Sequence, residues 1–476
     1  MNRLKQLDLA CLWHPFTQQT EWGQDLAQHP LIIARAKGHY LYDHAGRKYL
    51  DAVSSLWCNL HGHRHPKLDK ALAQQMRKMA HTTFLGLTHE PGIRLAQELL
   101  AVSPQGLSRV FYSDNGSTAN EVALKMIYQF HAQKKERSFP KTEFIALKNS
   151  YHGDTLGSVS VGGIELFHKK FKPLLFKTHF AASPHCGTCP YRKKPLDPKS
   201  VTRYAYCGES PRPGDARHDT GCQWECLGEI KNLLQKKGSR VAGVIVEPIV
   251  QGAAGILVAP PGYLSGLSKL CSQHHVPLIA DEVAVGFGRT GKLFACEHEN
   301  VRPDILSLAK GISGGYLPLA ATLSTEKIYR GFLGKAKEFK TFFHGHTYTA
   351  NPLACAVARS SLALFAKNAI IKKTAALADN LGEMLGSLIS HPHIGEIRQA
   401  GLMAGVEIVA DKDQGRSFDY KQRIGRRICL AARSQGLLLR PLNDVIVVMP
   451  PLSITNGELK FMIKGIRQSI QRVLKI

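Results

Sequence analysis

Lys310 closes an apolar run, Pro303-Asp-Ile-Leu-Ser-Leu-Ala-Lys310, and glycine-rich backbone, Gly311-Ile-Ser-Gly-Gly315, follows at once. The run has the length of a buried strand, so the amine falls at a strand's carboxyl end, where open α/β sheets put their ligands. Burial there lowers an amine's pKa and makes it a nucleophile toward an aldehyde, the chemistry of a Schiff-base lysine. A second strand-like run, Val276-Pro-Leu-Ile-Ala-Asp281, ends in a carboxylate. A strand-end acid followed by a strand-end amine points to an aldehyde on a heterocycle, and pyridoxal phosphate (PLP) is such a cofactor.

Further candidates lie at other strand ends. Ser113-Asp-Asn-Gly116-Ser117-Thr118 leads from a strand through a small-residue turn into a helix. Free N–H groups and the positive end of the helix dipole suit an anion there, although the same pattern also makes an ordinary N-cap. Asn149-Ser-Tyr151-His152-Gly153-Asp154-Thr155 follows another strand and offers an aromatic face to a ring. Arg440 sits in Leu437-Leu-Leu-Arg440-Pro, where an apolar setting favours a buried anion partner over a surface ion pair. Gly286-Phe-Gly288-Arg-Thr-Gly291 fits a dinucleotide fingerprint, but too little chain precedes Pro303 for a crossover helix, and the preceding strand ends in two carboxylates; a nicotinamide cofactor is not expected.

Strand-like apolar runs at Arg109–Ser113, Glu143–Leu147, Val241–Glu247, Val276–Asp281, Ile305–Ala309 and Leu317–Leu323 alternate with helical patterns such as Thr118–Phe130 and Tyr263–His275. That order predicts an α/β fold with a mostly parallel central sheet flanked by helices. Beyond about Asn351 come amphipathic helices (Pro352–Ala366, Lys373–Leu388) and a short strand group, Gly401–Val409 and Leu437–Met449. The expected division is a large domain over 71–345 and a smaller α+β domain over 346–476, which the N-terminal segment 1–70 joins.

The chain has 476 residues, 44% of them apolar, and a net charge of +25 from 62 Lys and Arg against 37 Asp and Glu. The basic residues are dispersed and no aromatic-interleaved motif accompanies them, so no nucleic-acid partner is expected. No apolar run approaches the length of a membrane helix and no signal-peptide core stands at the N-terminus; the expected location is cytoplasmic, away from membranes. Most of the eleven cysteines read as reduced thiols. Cys186-Gly-Thr-Cys189, Cys207 and Cys222-Gln-Trp-Glu-Cys226, near His185 and His218, mark an insertion over about 183–227. The spacings match no standard finger, so a thiol-rich insertion without metal is expected, with a structural metal as the alternative.

Together, Leu278-Ile-Ala-Asp281-Glu-Val-Ala-Val-Gly-Phe-Gly-Arg-Thr-Gly291 and Pro303-Asp to Lys310-Gly resemble the signature of the class III, fold-type I PLP-dependent aminotransferases, along nearly the full chain. Leu12-Trp-His-Pro-Phe16-Thr-Gln18, Ser54-Ser-Leu56-Trp57, Phe343-His-Gly345-His346-Thr347 and Met449-Pro-Pro resemble, within that class, the aminotransferases that act on 8-amino-7-oxononanoate in biotin synthesis. The resemblance implies that Lys310 carries PLP and moves the substrate proton, that Asp281 partners the pyridine nitrogen, and that Tyr151 stacks on the ring. It implies a phosphate cup from Gly116 and Ser117, with His346 and Thr347 supplied across a homodimer interface. Phe16, Leu56, Trp57, Tyr151, Asp154, Gly345 and Arg440 are the implied substrate contacts, Arg440 meeting a carboxylate. Glu247 receives no role. The implied donor is S-adenosylmethionine. However, Phe16 and Leu56 stand where its users commonly carry Tyr and Trp, which leaves lysine as an alternative donor. Another class III ω-amino acid aminotransferase is the second reading.

Overall fold

The computed structural model describes residues 3–24, 30–134, 141–191, 202–203 and 223–475. Its centre is a seven-stranded sheet: β1 (Leu107–Ser113), β2 (Glu143–Leu147), β3 (Thr178–Ala181), β4 (Val241–Val246), β5 (Leu278–Asp281), β6 (Ile305–Leu308) and β7 (Ala320–Thr325). The spatial order is β1-β7-β6-β5-β4-β2-β3. Only β7 runs against its neighbours, pairing antiparallel with β6 and β1; the remaining pairs are parallel. Every residue of β2, β4, β5 and β6 is buried, which is why these segments read as unbroken apolar runs rather than alternating ones. Each buried Val, Leu or Ile contributes about 1.5–3 kcal/mol relative to exposure, so the middle of the sheet is a rigid platform.

Helix α1 (Gly116–Ala132) follows β1. Its N-cap Asn115 accepts from the Thr118 N–H, and the Thr118 hydroxyl in turn bonds Asp114. Five observed strands match the expected runs to within three residues at either end. The expected strand at Leu317–Leu323 lies later, at β7, because Leu317–Leu319 belong to the turn after Lys310. β3 was not expected; it is a four-residue edge strand with mostly half-buried side chains and carries little periodic signal.

Two smaller sheets lie outside this platform. Strands Ile33–Lys37, Tyr40–Asp43 and Lys48–Asp51 form a meander whose last strand pairs in parallel with Leu437–Leu438. A five-stranded sheet has the order 440–442, 445–448, 403–408, 394–400, 202–203. The expected strand group over Leu437–Met449 consists of three short strands, 437–438, 440–442 and 445–448, with a left-handed turn at Asn443. Of the expected cysteine insertion, 192–201 and 204–222, including Cys207, His218 and Cys222, lie outside the described residues. Among the described residues, no single helix is long and apolar enough to cross a membrane.

A buried ion cluster joins these parts. Arg398 donates to Glu396 (2.8 Å), to Glu407 and to the Gly255 carbonyl (2.9 Å), and Glu396 also meets His185 at 3.1 Å. Burial works to raise the Glu396 carboxyl, but the His185 bond and the Arg398 charge outweigh it and hold the group at about 2. Arg398→Met leaves that carboxylate without its guanidinium. Urea unfolding should show a loss of about 3–5 kcal/mol; a loss near zero would contradict a structural role for the cluster.

Candidate active site

β1, β2, β4, β5 and β6 all point the same way, so their carboxyl ends gather at one edge of the sheet. A cavity of about 880 Å³ opens there. It is lined from β1 by Gly116 and Ser117, from β2 by Tyr151 and Asp154, from β4 by Glu247, from β5 by Asp281, and from β6 by Lys310. Phe16, Leu56, Trp57 and Arg440 complete the wall, from segments remote in sequence.

Asp281 is buried, and its carboxylate accepts three hydrogen bonds with capacity left on Oδ1. Oδ2 accepts from His152 Nδ1 and Asn120 Nδ2, each at 2.7 Å, and Oδ1 accepts from the Val283 N–H at 3.0 Å. Lys310 Nζ makes no hydrogen bond or ion pair among the described residues, and it lies 5.2 Å from the Trp57 ring centroid. Burial pushes its amine below the ordinary range, against the pull of Asp281, Glu247 and Cys58. The glycines after it are required by what passes behind. A Cβ on Gly311 would come within 3.0 Å of Leu60 and Phe287, and one on Gly315 (φ +84°) within 3.0 Å of the Asn59 backbone.

At the mouth of α1, a Cβ on Gly116 would meet Val283 at 2.5 Å, and one on Gly153 (φ +123°) would meet Ser117 Oγ at 1.9 Å. Only bare backbone fits, so N–H groups can approach a ligand closely. Ser117 Oγ accepts from the Asp154 N–H at 2.7 Å, tying the two loops together. Tyr151 OH donates to Asp154 at 2.7 Å; burial first, then that bond, raises the phenol far above its usual value. Arg440 is half-buried and has no ion-pair or hydrogen-bond partner among the described residues; burial lowers its guanidinium from the ordinary value.

Gly345, His346 and Thr347 are not part of the cavity. They lie in an outward-facing stretch between Phe343 (76% exposed) and Tyr348 (62% exposed). Three residues at or behind the cavity wall carry no expectation from sequence: His152 and Phe167 line it, and Asn120 stands behind Asp281. His152 adjoins Tyr151 and could have been singled out as a strand-end polar residue. Asn120 lies one helical turn after Gly116, and nothing in its sequence surroundings announces it. Phe167 reaches Phe16 (ring centroids 5.4 Å) and Tyr151 (6.3 Å) only through folding. The G-x-G-x-x-G segment forms turns, and a 3-10 turn, Ala295–Glu299, follows it. Arg289 in that segment is buried and donates to the Trp57 and Pro450 carbonyls.

Glu247 braces the site. Oε1 accepts from the Tyr151 N–H (3.0 Å) and Oε2 from the Gly252 N–H (2.8 Å). Burial raises its carboxyl to about 7, His152 opposing and Asp281 adding to the shift.

The residues fit PLP: a backbone cradle at a helix N-terminus for phosphate, a flat aromatic, a buried acid held in place with one acceptor position open, and an amine without a hydrogen bond or ion pair among the described residues. The family model for class III aminotransferases matches residues 23–470. The adenosylmethionine-8-amino-7-oxononanoate aminotransferase of Nitratidesulfovibrio vulgaris is 49% identical over 98% of this chain and 81% of its own length. The protein of the same description from Geobacter sulfurreducens is 45% identical over 99% and 98%. The crystal structure of the Methanocaldococcus jannaschii adenosylmethionine-8-amino-7-oxononanoate aminotransferase superposes with a TM-score of 0.88 at 39% identity, covering 98% of both chains. An omega transaminase from Pseudomonas jessenii, solved in complex with PMP, gives 0.87 at 29% identity over 100% and 99%. The chain belongs to the class III aminotransferases and is a PLP-dependent aminotransferase, a fold-type I enzyme.

The folded Glu247 keeps its proton to about pH 7, whereas an unfolded glutamate loses it near 4.5. The folded state therefore binds the extra proton between those values, and stability falls as pH rises through that window. Urea midpoints measured from pH 5 to 8 should decline for the native chain and decline less for Glu247→Gln. Parallel slopes would refute the assignment.

Proposed function

We propose that the chain transfers an amino group to the 7-oxo group of 8-amino-7-oxononanoate, forming 7,8-diaminononanoate for biotin synthesis, with PLP as cofactor and S-adenosylmethionine as donor. The observation that carries the reading is Arg440, a half-buried guanidinium with no partner among the described residues, lining the same cavity as Lys310. A site with an amine at one end and a planar two-pronged cation elsewhere in its wall suits an amino acid or oxo acid bearing a carboxylate. The full-length likeness to relatives described as acting on 8-amino-7-oxononanoate supports the choice of acid.

Bound PLP would supply a carbonyl for the incoming amine and an electron-poor ring to delocalise charge. Lys310 would hold it, Gly116 and Ser117 would take its phosphate, Asp281 its ring nitrogen, and Tyr151 one ring face. Lys310 Nζ, whose proton burial makes easier to lose, is the base that removes the proton from the carbon bearing the donor amine. In the second half of the exchange it returns a proton to the acceptor carbon. His152 and Asn120 orient the Asp281 carboxylate, and Glu247 fixes the backbone of Tyr151. Arg440 holds the substrate carboxylate, so the reacting carbon is presented in one orientation. Phe16, Leu56, Trp57 and Asp154 form the surrounding substrate wall.

Gly345, His346 and Thr347 fit this reading in a homodimer, where the exposed stretch of one copy would serve the cavity of the other. The proposed division remains 1–70 with 346–476 as the smaller unit and 71–345 as the PLP-binding unit. The donor choice rests on the relatives' descriptions; lysine is favoured as an alternative by Leu56, which leaves the wall without a large aromatic at that position.

An absorbance scan tests cofactor and donor together. Purified chain should show the band of a lysine-bound PLP, and S-adenosylmethionine but not lysine should bleach it; bleaching by lysine alone would reverse the donor. Lys310→Ala should lose both band shift and turnover. Arg440→Ala should keep the band and raise KM for the oxo acid about 10- to 100-fold, the worth of one charge-assisted pair. An unchanged KM would remove the carboxylate role.

A further inference from the structure

Four consecutive non-glycine residues in the cavity wall have left-handed backbone: Ser54 (φ +49°), Ser55 (+50°), Leu56 (+80°) and Trp57 (+72°). L-residues avoid this region, and it persists only where surroundings over-determine it. The turn carries two lining residues. Leu56 is 47% exposed toward the opening, and the buried Trp57 has its ring against Gly252 and beside Lys310.

The restraints converge on one acid. Asp51, itself 1% exposed at the end of the Lys48–Asp51 strand, accepts from the Ser55 N–H (Oδ1, 2.9 Å) and the Ser55 hydroxyl (Oδ2, 2.6 Å). His63 Nε2 meets Oδ2 at 3.0 Å from behind, and His63 is anchored by a backbone bridge to Gly38. Ser54 Oγ donates to the Met449 carbonyl at 2.7 Å and Arg289 to the Trp57 carbonyl at 3.3 Å, so the turn is also gripped at both ends. Neither Asp51 nor His63 lines the cavity.

We infer that Asp51 is a positioning residue for substrate binding: through Ser55, and backed by His63, it holds the left-handed turn that sets Leu56 and Trp57 as the substrate wall. The inference rests on the reading of that wall as a substrate contact. It assigns a role to a carboxylate that touches neither cofactor nor substrate. A carboxylate accepts from the Ser55 N–H, the Ser55 hydroxyl and His63 together and draws all three inward, whereas an amide presents N–H bonds in place of one of its oxygens.

Asp51→Asn should raise KM for both donor and oxo acid about tenfold, the scale expected when a binding wall is displaced, with kcat and the cofactor band unchanged. Acrylamide quenching of Trp57, read as the difference from Trp57→Phe, should increase in the same variant. Adding Ser55→Gly to Asp51→Asn should bring KM back toward the native value, because glycine adopts this backbone without a clamp. A merely structural acid would show lower melting temperature with unchanged KM, and glycine would not rescue it; either result overturns the inference. Should Asp51→Asn fail to fold, Ser55→Ala removes one of the same bonds from an exposed side chain and should raise KM roughly two- to threefold; an unchanged KM would again overturn it. Absence of turnover on 8-amino-7-oxononanoate in the native chain would sink the substrate reading instead. The quenching comparison would still decide whether Asp51 holds the turn.

Discussion

A buried amine and a buried carboxylate share one cavity here without pairing, and the rest of the site depends on that separation. Were Asp281 free, Lys310 would be drawn to it, since opposite charges in a low-dielectric setting attract by several kcal/mol. The lysine would then be a charged ion-pair partner rather than a nucleophile. Asp281 is instead held by His152, Asn120 and the Val283 N–H, and Lys310 faces an aromatic ring. Burial can then lower the amine while the acid keeps its hydrogen bonds. The residues that make this possible arrive from β2, from α1 and from the turn after β5, which only a parallel sheet brings to one edge.

The chemistry at strand ends was legible in the sequence because each apolar run stops at the residue that matters. Lys310, Asp281, Tyr151 and Gly116 all follow such runs, and the strands lie close to where the apolar stretches predict them. What was not legible depends on contacts far apart along the chain. Asn120 looks like any polar residue on an amphipathic helix until α1 is laid across the end of β5. Phe167 sits in the short helix Glu165–His168 and enters the cavity only because the chain doubles back. Apart from the resemblance nothing in the sequence marks Gly345, His346 and Thr347, and one chain does not bring them to the cavity.

Backbone strain tells a related story. A left-handed residue costs about 1–2 kcal/mol, so four in a row at 54–57 require compensation from the surroundings. The compensation is polar and buried: Asp51, Ser54 and the Arg289 guanidinium, each bound to backbone or hydroxyl groups. No periodicity encodes such a turn; Ser-Ser-Leu-Trp has no glycine to announce positive φ. The G-x-G-x-x-G segment gains its meaning here as well. Its arginine stabilises the carbonyl of the wall tryptophan, and its glycines at φ +89° and +97° shape the turn that buries that arginine.

The cavity divides into a half that cannot change and a half that must accommodate two substrates in turn. The fixed half is built of close backbone approaches, where a single added Cβ at Gly153 would overlap Ser117. The other half is formed by Phe16, Leu56 and Phe167, side chains with apolar surface and without hydrogen-bonding demands of their own. An exchange that alternates a donor amine with an oxo acid rules out tight polar complementarity to either along the whole cavity. A polar wall fitted to one substrate would strand unpaired groups against the other. Apolar side chains tolerate both, and Arg440, a guanidinium in the same wall, is the place proposed above for a carboxylate. On the proposed reading the turn at 54–57 fixes where that wall stands, so that Leu56 and Trp57 bound the space open to either substrate.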